Sequence, residues 1–193
     1  MTGEGGSADR RSSLVHDLIE VGRDLWEARL VSTHGGNLSV RWERGAMITK
    51  HGAMLHRLAP EHLVTVDSRG RPTASGETPV PSNDTPVHLA IYAAVEEAGA
   101  IAHAHPVYAV ALSLEWGAIN PMTVSGGALG RVPVIEASGA GVAPAVAREL
   151  REHRAVLVRA HGVFARGRDP WEALQAVSVL EESAMILHLS SER

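Results

Sequence analysis

Short apolar runs of strand length alternate with stretches of helical periodicity along almost the whole chain, and this interleaving constrains the fold more than any other feature. A sheet assembled from such runs has to bury its faces, and the intervening helices are the elements available to cover it. Leu14, Leu18, Ile19, Leu25, Trp26 and Leu30 recur at helical spacing, which predicts an amphipathic helix from near Ser12 to a turn at 32–36. Strand-like runs follow at 37–42, 46–49 and 63–67, and Ser68-Arg69-Gly70-Arg71 reads as a hairpin turn. Thr85 and Pro86 open a helix predicted to reach about Ala98, preceding a buried strand at 100–105 and a helix at 107–114. Weaker strands are expected around Met122 and at 132–135, then a helix at 142–153 and strands at 155–159 and 163–165. Asp169, Pro170 and Glu172 supply an N-cap, an N1 proline and an N3 glutamate for a last helix reaching Ser190.

With 193 residues and 45% apolar content, the chain can bury one full core. Residues 1–11, rich in Gly and Ser, are expected to form a flexible N-terminal tail, and 12–193 one domain. A net charge of -4, without blocks of like charge, gives no electrostatic reason to bind nucleic acid. No apolar run approaches the roughly 20 residues of a membrane span, and the first ten residues lack a signal-peptide core. The expectation is a cytoplasmic protein acting on a small molecule. Because cysteine is absent, disulfides and thiolate metal sites are excluded, which leaves imidazole and carboxylate as ligands.

In Ala102-His103-Ala104-His105 the two imidazoles stand two residues apart on a predicted strand, so both point to one face. His161 follows a second apolar run and precedes Gly162, where the chain turns sharply. Three histidines with an open fourth position form a catalytic zinc arrangement, whereas structural sites are closed by four protein ligands. The alternative is ordinary core or surface histidines. Nearby motifs favour the metal. Gly35-Gly36-Asn37-Leu38-Ser39 and Ile48-Thr49-Lys50-His51-Gly52 are turns that can bring backbone N–H groups to an anion. Pro81-Ser82-Asn83-Asp84 precedes a helix N-terminus, which favours negative charge too. Taken singly, each is ordinary turn chemistry.

In this order the motifs resemble the class II aldolase and adducin family, which includes fuculose-phosphate aldolase, ribulose-phosphate 4-epimerase and methylthioribulose-phosphate dehydratase. The resemblance covers about residues 12–190. It is carried by Gly-Gly-Asn-Leu-Ser at 35–39, Pro-Ser-Asn-Asp-Thr-Pro-Val-His at 81–88, His-Ala-His-Pro at 103–106 and Ala-His-Gly-Val-Phe-Ala-Arg-Gly at 160–167.

The resemblance implies an α/β protein, a three-layer α/β/α fold with a central mixed, largely antiparallel sheet, assembled as a C4 homotetramer with active sites between subunits. It implies Zn2+ on His103, His105 and His161, and an acid/base carboxylate at Asp84, whose other possible role is to cap the next helix. Aldolases usually carry glutamate at that position and epimerases aspartate. His34, Gly36, Asn37, His51, Gly52, Ser82 and Asn83 fall where the family binds the substrate's anionic group. Here His34 and His51 stand where threonine or serine is common, and Asn83 replaces a serine. The aldolase tyrosines have no counterpart, since Tyr92 and Tyr108 are the only two in the chain.

The expected function is a zinc-dependent lyase that performs retro-aldol cleavage of a small hydroxy-ketone phosphate through a zinc-stabilised enediolate. The alternatives are a decarboxylase of a hydroxy acid, an epimerase or a dehydratase on the same site, and a non-catalytic scaffold.

Overall fold

A computed structural model describes residues 4–74 and 79–191. The helices are α1 (Glu4–Glu27), α2 (Thr85–Ala94), α3 (Val107–Ser113), α4 (Val124–Leu129), α5 (Val142–Glu149) and α6 (Pro170–Ser191). The strands are β1 (Asn37–Trp42), β2 (Gly45–Thr49), β3 (Leu63–Val66), β4 (Ala100–Ala104), β5 (Ala118–Ile119), β6 (Val132–Ile135), β7 (Ala155–Val158) and β8 (Gly162–Gly167). They form one sheet in the order β3-β2-β1-β4-β8-β7-β6-β5. Every neighbouring pair is antiparallel except β6 with β7, so the sheet is mixed and largely antiparallel.

Strand alternation divides the core in two. Leu38, Val40, Met47, Ala102, Ala104, Leu157, Val163 and Ala165 face one side, where they pack with Leu18, Val21, Leu25 and Leu180 of α1 and α6. Ala46, Ile48, Ile101, Val156, Val158 and Phe164 face the other, against Val87, Ile91 and Tyr92 of α2 and Val146 and Ala147 of α5. Helices thus cover both faces, giving the three-layer α/β/α architecture.

The structure departs from the sequence reading in several places. First, α1 begins at Glu4, so residues 4–11 are helical rather than tail, and 1–3 lie outside the described residues. The Arg10 guanidinium lies 5.8 Å from the centre of the Trp42 ring, a contact that ties this early turn to the end of β1. Second, Met122 is an exposed loop residue and not a strand, because the Thr123 side chain accepts from Gly126 N and caps the short helix α4. Two glycines had masked that helix. Third, α2 stops at Ala94 rather than near Ala98 and α5 at Glu149 rather than at 153, and the two-residue strand β5 has no counterpart in the sequence reading.

Candidate metal centre

His103 sits at the middle of the sheet on β4, paired across to Asn37 on β1 and Phe164 on β8. Its ring is 2% exposed and stacks on Phe164 with centroids 4.1 Å apart. His105 follows just past the end of β4. His161 is delivered by the tight turn between β7 and β8, in which Ala160 takes φ +58. The ligand nitrogens of His103, His105 and His161 all lie within 4.8 Å of one another.

Two glycines make this convergence possible. A Cβ on Gly162 would come within 2.5 Å of both the Ala104 carbonyl oxygen and His105 Cδ2. Gly36, at φ +79, lets the loop before β1 approach so closely that a Cβ would stand 2.7 Å from the His103 carbonyl oxygen.

The donor set suits a borderline-soft divalent cation. His103 Nδ1 donates to the Val163 carbonyl oxygen at 2.9 Å, which leaves the Nε2 lone pair facing His105 Nε2 at 3.1 Å. Burial pushes the His103 imidazole down to about 3, against the opposing pull of Asp84 and with help from the other two histidines. His105 is lowered as well, first by burial and then by His161. Two neutral imidazoles directed at a common point are the form in which histidine binds zinc.

Asp84 stands beside this group. Its Oδ2 is 3.8 Å from His103 Nε2, and because His103 is neutral this is not an ion pair. Asp84 precedes α2 yet its side chain makes no cap bond. The carboxylate accepts instead from Asn37 Nδ2 at 2.7 Å, and the Asp84 backbone N–H donates to Ser82 Oγ.

A cleft of about 350 Å³ opens onto the histidines. Its lining brings together His34, Gly36, Asn37, His51, Gly52, Ser82, Asn83 and Asp84 with the three histidines, all of the residues singled out in the sequence. His34 Nδ1 lies 3.2 Å from the Gly52 carbonyl oxygen, joining the two glycine turns. Lys50, Gly35 and Ala53 also line the cleft and were missed. The signal for Lys50 was its place inside the quoted Ile-Thr-Lys-His-Gly turn. No tyrosine lines the cleft: Tyr92 is buried under β1, and Tyr108 packs beside His188 of α6.

Residues 16–188 match the family model described as Class II Aldolase and Adducin N-terminal domain. The L-fuculose phosphate aldolase of Haemophilus influenzae is 30% identical over 88% of this chain and 81% of its own length. The 3-oxo-tetronate 4-phosphate decarboxylase of the same organism is 29% identical over 88% and 84%. Among solved structures, the L-fuculose-1-phosphate aldolase of Thermus thermophilus superposes with a TM-score of 0.85 at 36% identity, covering 94% of this chain and 95% of that one. With an α/β/α fold shared with these sugar-phosphate enzymes and a family model spanning nearly its whole length, the chain belongs to the class II aldolase and adducin family.

Proposed function

We propose that the chain is a zinc-dependent lyase that performs retro-aldol cleavage of a small hydroxy-ketone phosphate. The observation that carries this reading is the convergence of His103, His105 and His161 beside the Asp84 carboxylate at the floor of a cleft rimmed by glycine turns and Lys50. When bound, Zn2+ supplies a Lewis acid that polarises a carbonyl oxygen and offsets negative charge developing beside it. Ser82, Asn83, Gly36 and Gly52, with His34, His51 and Lys50, hold the anionic end of the substrate away from the reacting carbons. The hydroxyl proton released as the carbon–carbon bond breaks is relayed to the Asp84 carboxylate, which returns it to the carbon left behind, and the reverse direction runs the same transfer backwards. Asn37 fixes the Asp84 carboxylate for that task.

Decarboxylation by the same site is the second reading, and the absence of any tyrosine from the cleft lining favours it. Aldol cleavage also needs a group to relay the hydroxyl proton of the departing aldehyde, whereas loss of CO2 needs one proton donor only. Incubating zinc-loaded protein with L-fuculose 1-phosphate and with 3-oxo-tetronate 4-phosphate, while assaying aldehyde and CO2, decides between them. Aldehyde release supports the first reading, and CO2 without aldehyde reverses the order. Elemental analysis provides the check on the metal: His103→Ala loses zinc, and near-stoichiometric zinc in that variant removes the site assignment. The same reading includes a homotetramer with sites between subunits. It is supported by Met185, Ile186 and Leu189, which α6 leaves exposed, and sedimentation equilibrium measures it.

A further inference from the structure

Asn37, Ser39 and Arg41 alternate along β1 and reach α2, where they meet positions four residues apart: Asp84 before the helix, then His88 and Tyr92 within it. Two residues of strand advance about 6.6 Å and four of helix about 6 Å, so strand and helix stay in step across three rungs. In the first rung Asn37 Nδ2 donates to Asp84 Oδ2 at 2.7 Å. In the second, Ser39 Oγ lies 2.7 Å from His88 Nδ1 and 2.8 Å from the Tyr92 hydroxyl. The Arg41 guanidinium closes the third, donating to the Tyr92, Val95 and Ala98 carbonyl oxygens and lying 4.9 Å from the centre of the Tyr92 ring.

Proton inventory orients the middle rung. The buried Tyr92 hydroxyl has Ser39 Oγ as its partner, and the arrangement that leaves no hydroxyl proton of the rung unpaired has Tyr92 donate to Ser39. The Ser39 proton is then directed at His88 Nδ1. Burial keeps His88 neutral, so its single ring proton sits on Nε2. That Nε2 is buried without a partner, and so is Asn37 Oδ1 on the neighbouring rung. One is a donor and the other an acceptor, whereas buried polar groups are as a rule paired.

We propose that His88 Nε2–H and Asn37 Oδ1, which do not bond each other directly, are linked through a single buried water. Tyr92, Ser39, His88 and Asn37 then form a directional chain that ends on Asp84, and His88 is a positioning residue for that carboxylate. The effect on turnover rests on Asp84 moving the proton, as proposed above; the link itself does not.

Long-range 1H–15N spectra of histidine-labelled full-length protein, metal-free and zinc-loaded, test the link without a substrate. The expected result is a neutral His88 with its proton on Nε2, an Hε2 in slow exchange, and a shift or loss of that signal in Asn37→Ala. A proton on Nδ1, or an Hε2 indifferent to Asn37→Ala, overturns the link. If Asn37→Ala does not fold, a cross-peak from Hε2 to a long-lived bound water in the unaltered chain decides, and its absence counts against the link.

The positioning role is tested by two substitutions. His88→Gln places an amide nitrogen where Nε2 stands, and His88→Asn places one where Nδ1 stands. On L-fuculose 1-phosphate, His88→Asn lowers kcat by on the order of tenfold to a hundredfold with KM little changed, and His88→Gln restores most of it. Equal losses in the two variants, or a loss confined to KM, overturn the positioning role. An unaltered protein that turns over neither sugar phosphate refutes the proposed function, and the spectra still decide the link.

Discussion

The two faces of the central sheet are built by the same strand alternation, and both are packed with apolar side chains, but one of them also buries the polar groups beside Asp84. Under α1 and α6, β1 contributes Leu38 and Val40 and β4 contributes Ala102 and Ala104 to a contiguous apolar core. On the α2 side the same two strands contribute buried Ile101 to a second apolar core and, beside it, buried Asn37, Ser39 and His103. Both faces gain from apolar area removed from water. The second also has to match every donor to an acceptor, and it is the face on which the histidines and Asp84 meet. Both faces therefore bury apolar area, and the second also accepts polar burial beside the site, a difference that substitutions can probe separately.

The largest effect is expected on the polar face. Asp84→Asn keeps the shape of the side chain and removes its proton chemistry, so kcat falls by on the order of 10² to 10⁴ while thermal stability stays close to that of the parent. Unchanged turnover on whichever sugar phosphate the protein accepts would return Asp84 to a structural role. On the other face, Leu25→Ala empties a fully buried position in the apolar core. It should cost about 2 to 5 kcal/mol in denaturant unfolding and leave KM unaltered where the protein is folded. Were Leu25→Ala to depress kcat as Asp84→Asn does, the two faces would not be separable.

A smaller effect concerns pH. Burial holds His88 down to about 4 in the folded chain, whereas an unfolded histidine titrates near about 6.5. Between those values the unfolded chain binds a proton that the folded chain refuses, so stability is present above pH 6.5 and declines as pH falls. Over the 1.5 units from about 6.5 to 5 this amounts to about 2 kcal/mol. In urea melts of metal-free protein at pH 7 and pH 5 the parent's loss should include shares from His103 and His105, which burial also lowers, and should be smaller in His88→Gln by about 2 kcal/mol. Equal slopes would mean that His88 titrates normally.

The apolar cores were legible in the sequence because their information is local: short apolar runs of strand length for β1, β4, β7 and β8, and helical spacing in Leu14 to Leu30. The histidine cluster was legible for a similar reason, since His103 and His105 lie on one strand and Gly162 marks the turn beside His161. The polar seam was not. Ser39 and Tyr92 look like ordinary strand and helix residues until α2 is laid across β1, and only then does Ser39 meet His88 and Tyr92. Asp84 had a helix cap as its alternative role, and the structure shows that its carboxylate makes no cap bond and accepts from Asn37 instead. The strand expected at Met122 failed because a threonine cap outweighed a short apolar run.

Lys50 yields the smallest and sharpest test of the polar face. It is the one Lys or Arg among the described residues lining the cleft, and its backbone is fixed by pairing with Pro81 and by donation to the His62 carbonyl oxygen. In a turn rich in polar residues such a lysine reads as a solvated surface charge, so the sequence passed over it. If the anionic end of the substrate is held by the glycine turns alone, backbone N–H groups and the dipole before α2 suffice, and Lys50 is dispensable. If the ammonium contributes, Lys50→Gln should raise the dissociation constant for L-fuculose 1-phosphate, or for inorganic phosphate, by about tenfold. Lys50→Arg should recover part of that loss, because the charge stays while its geometry changes. Titration calorimetry at two salt concentrations separates the cases: a lysine contribution weakens with added salt, and an affinity unchanged in Lys50→Gln at both would assign the anion to the backbone.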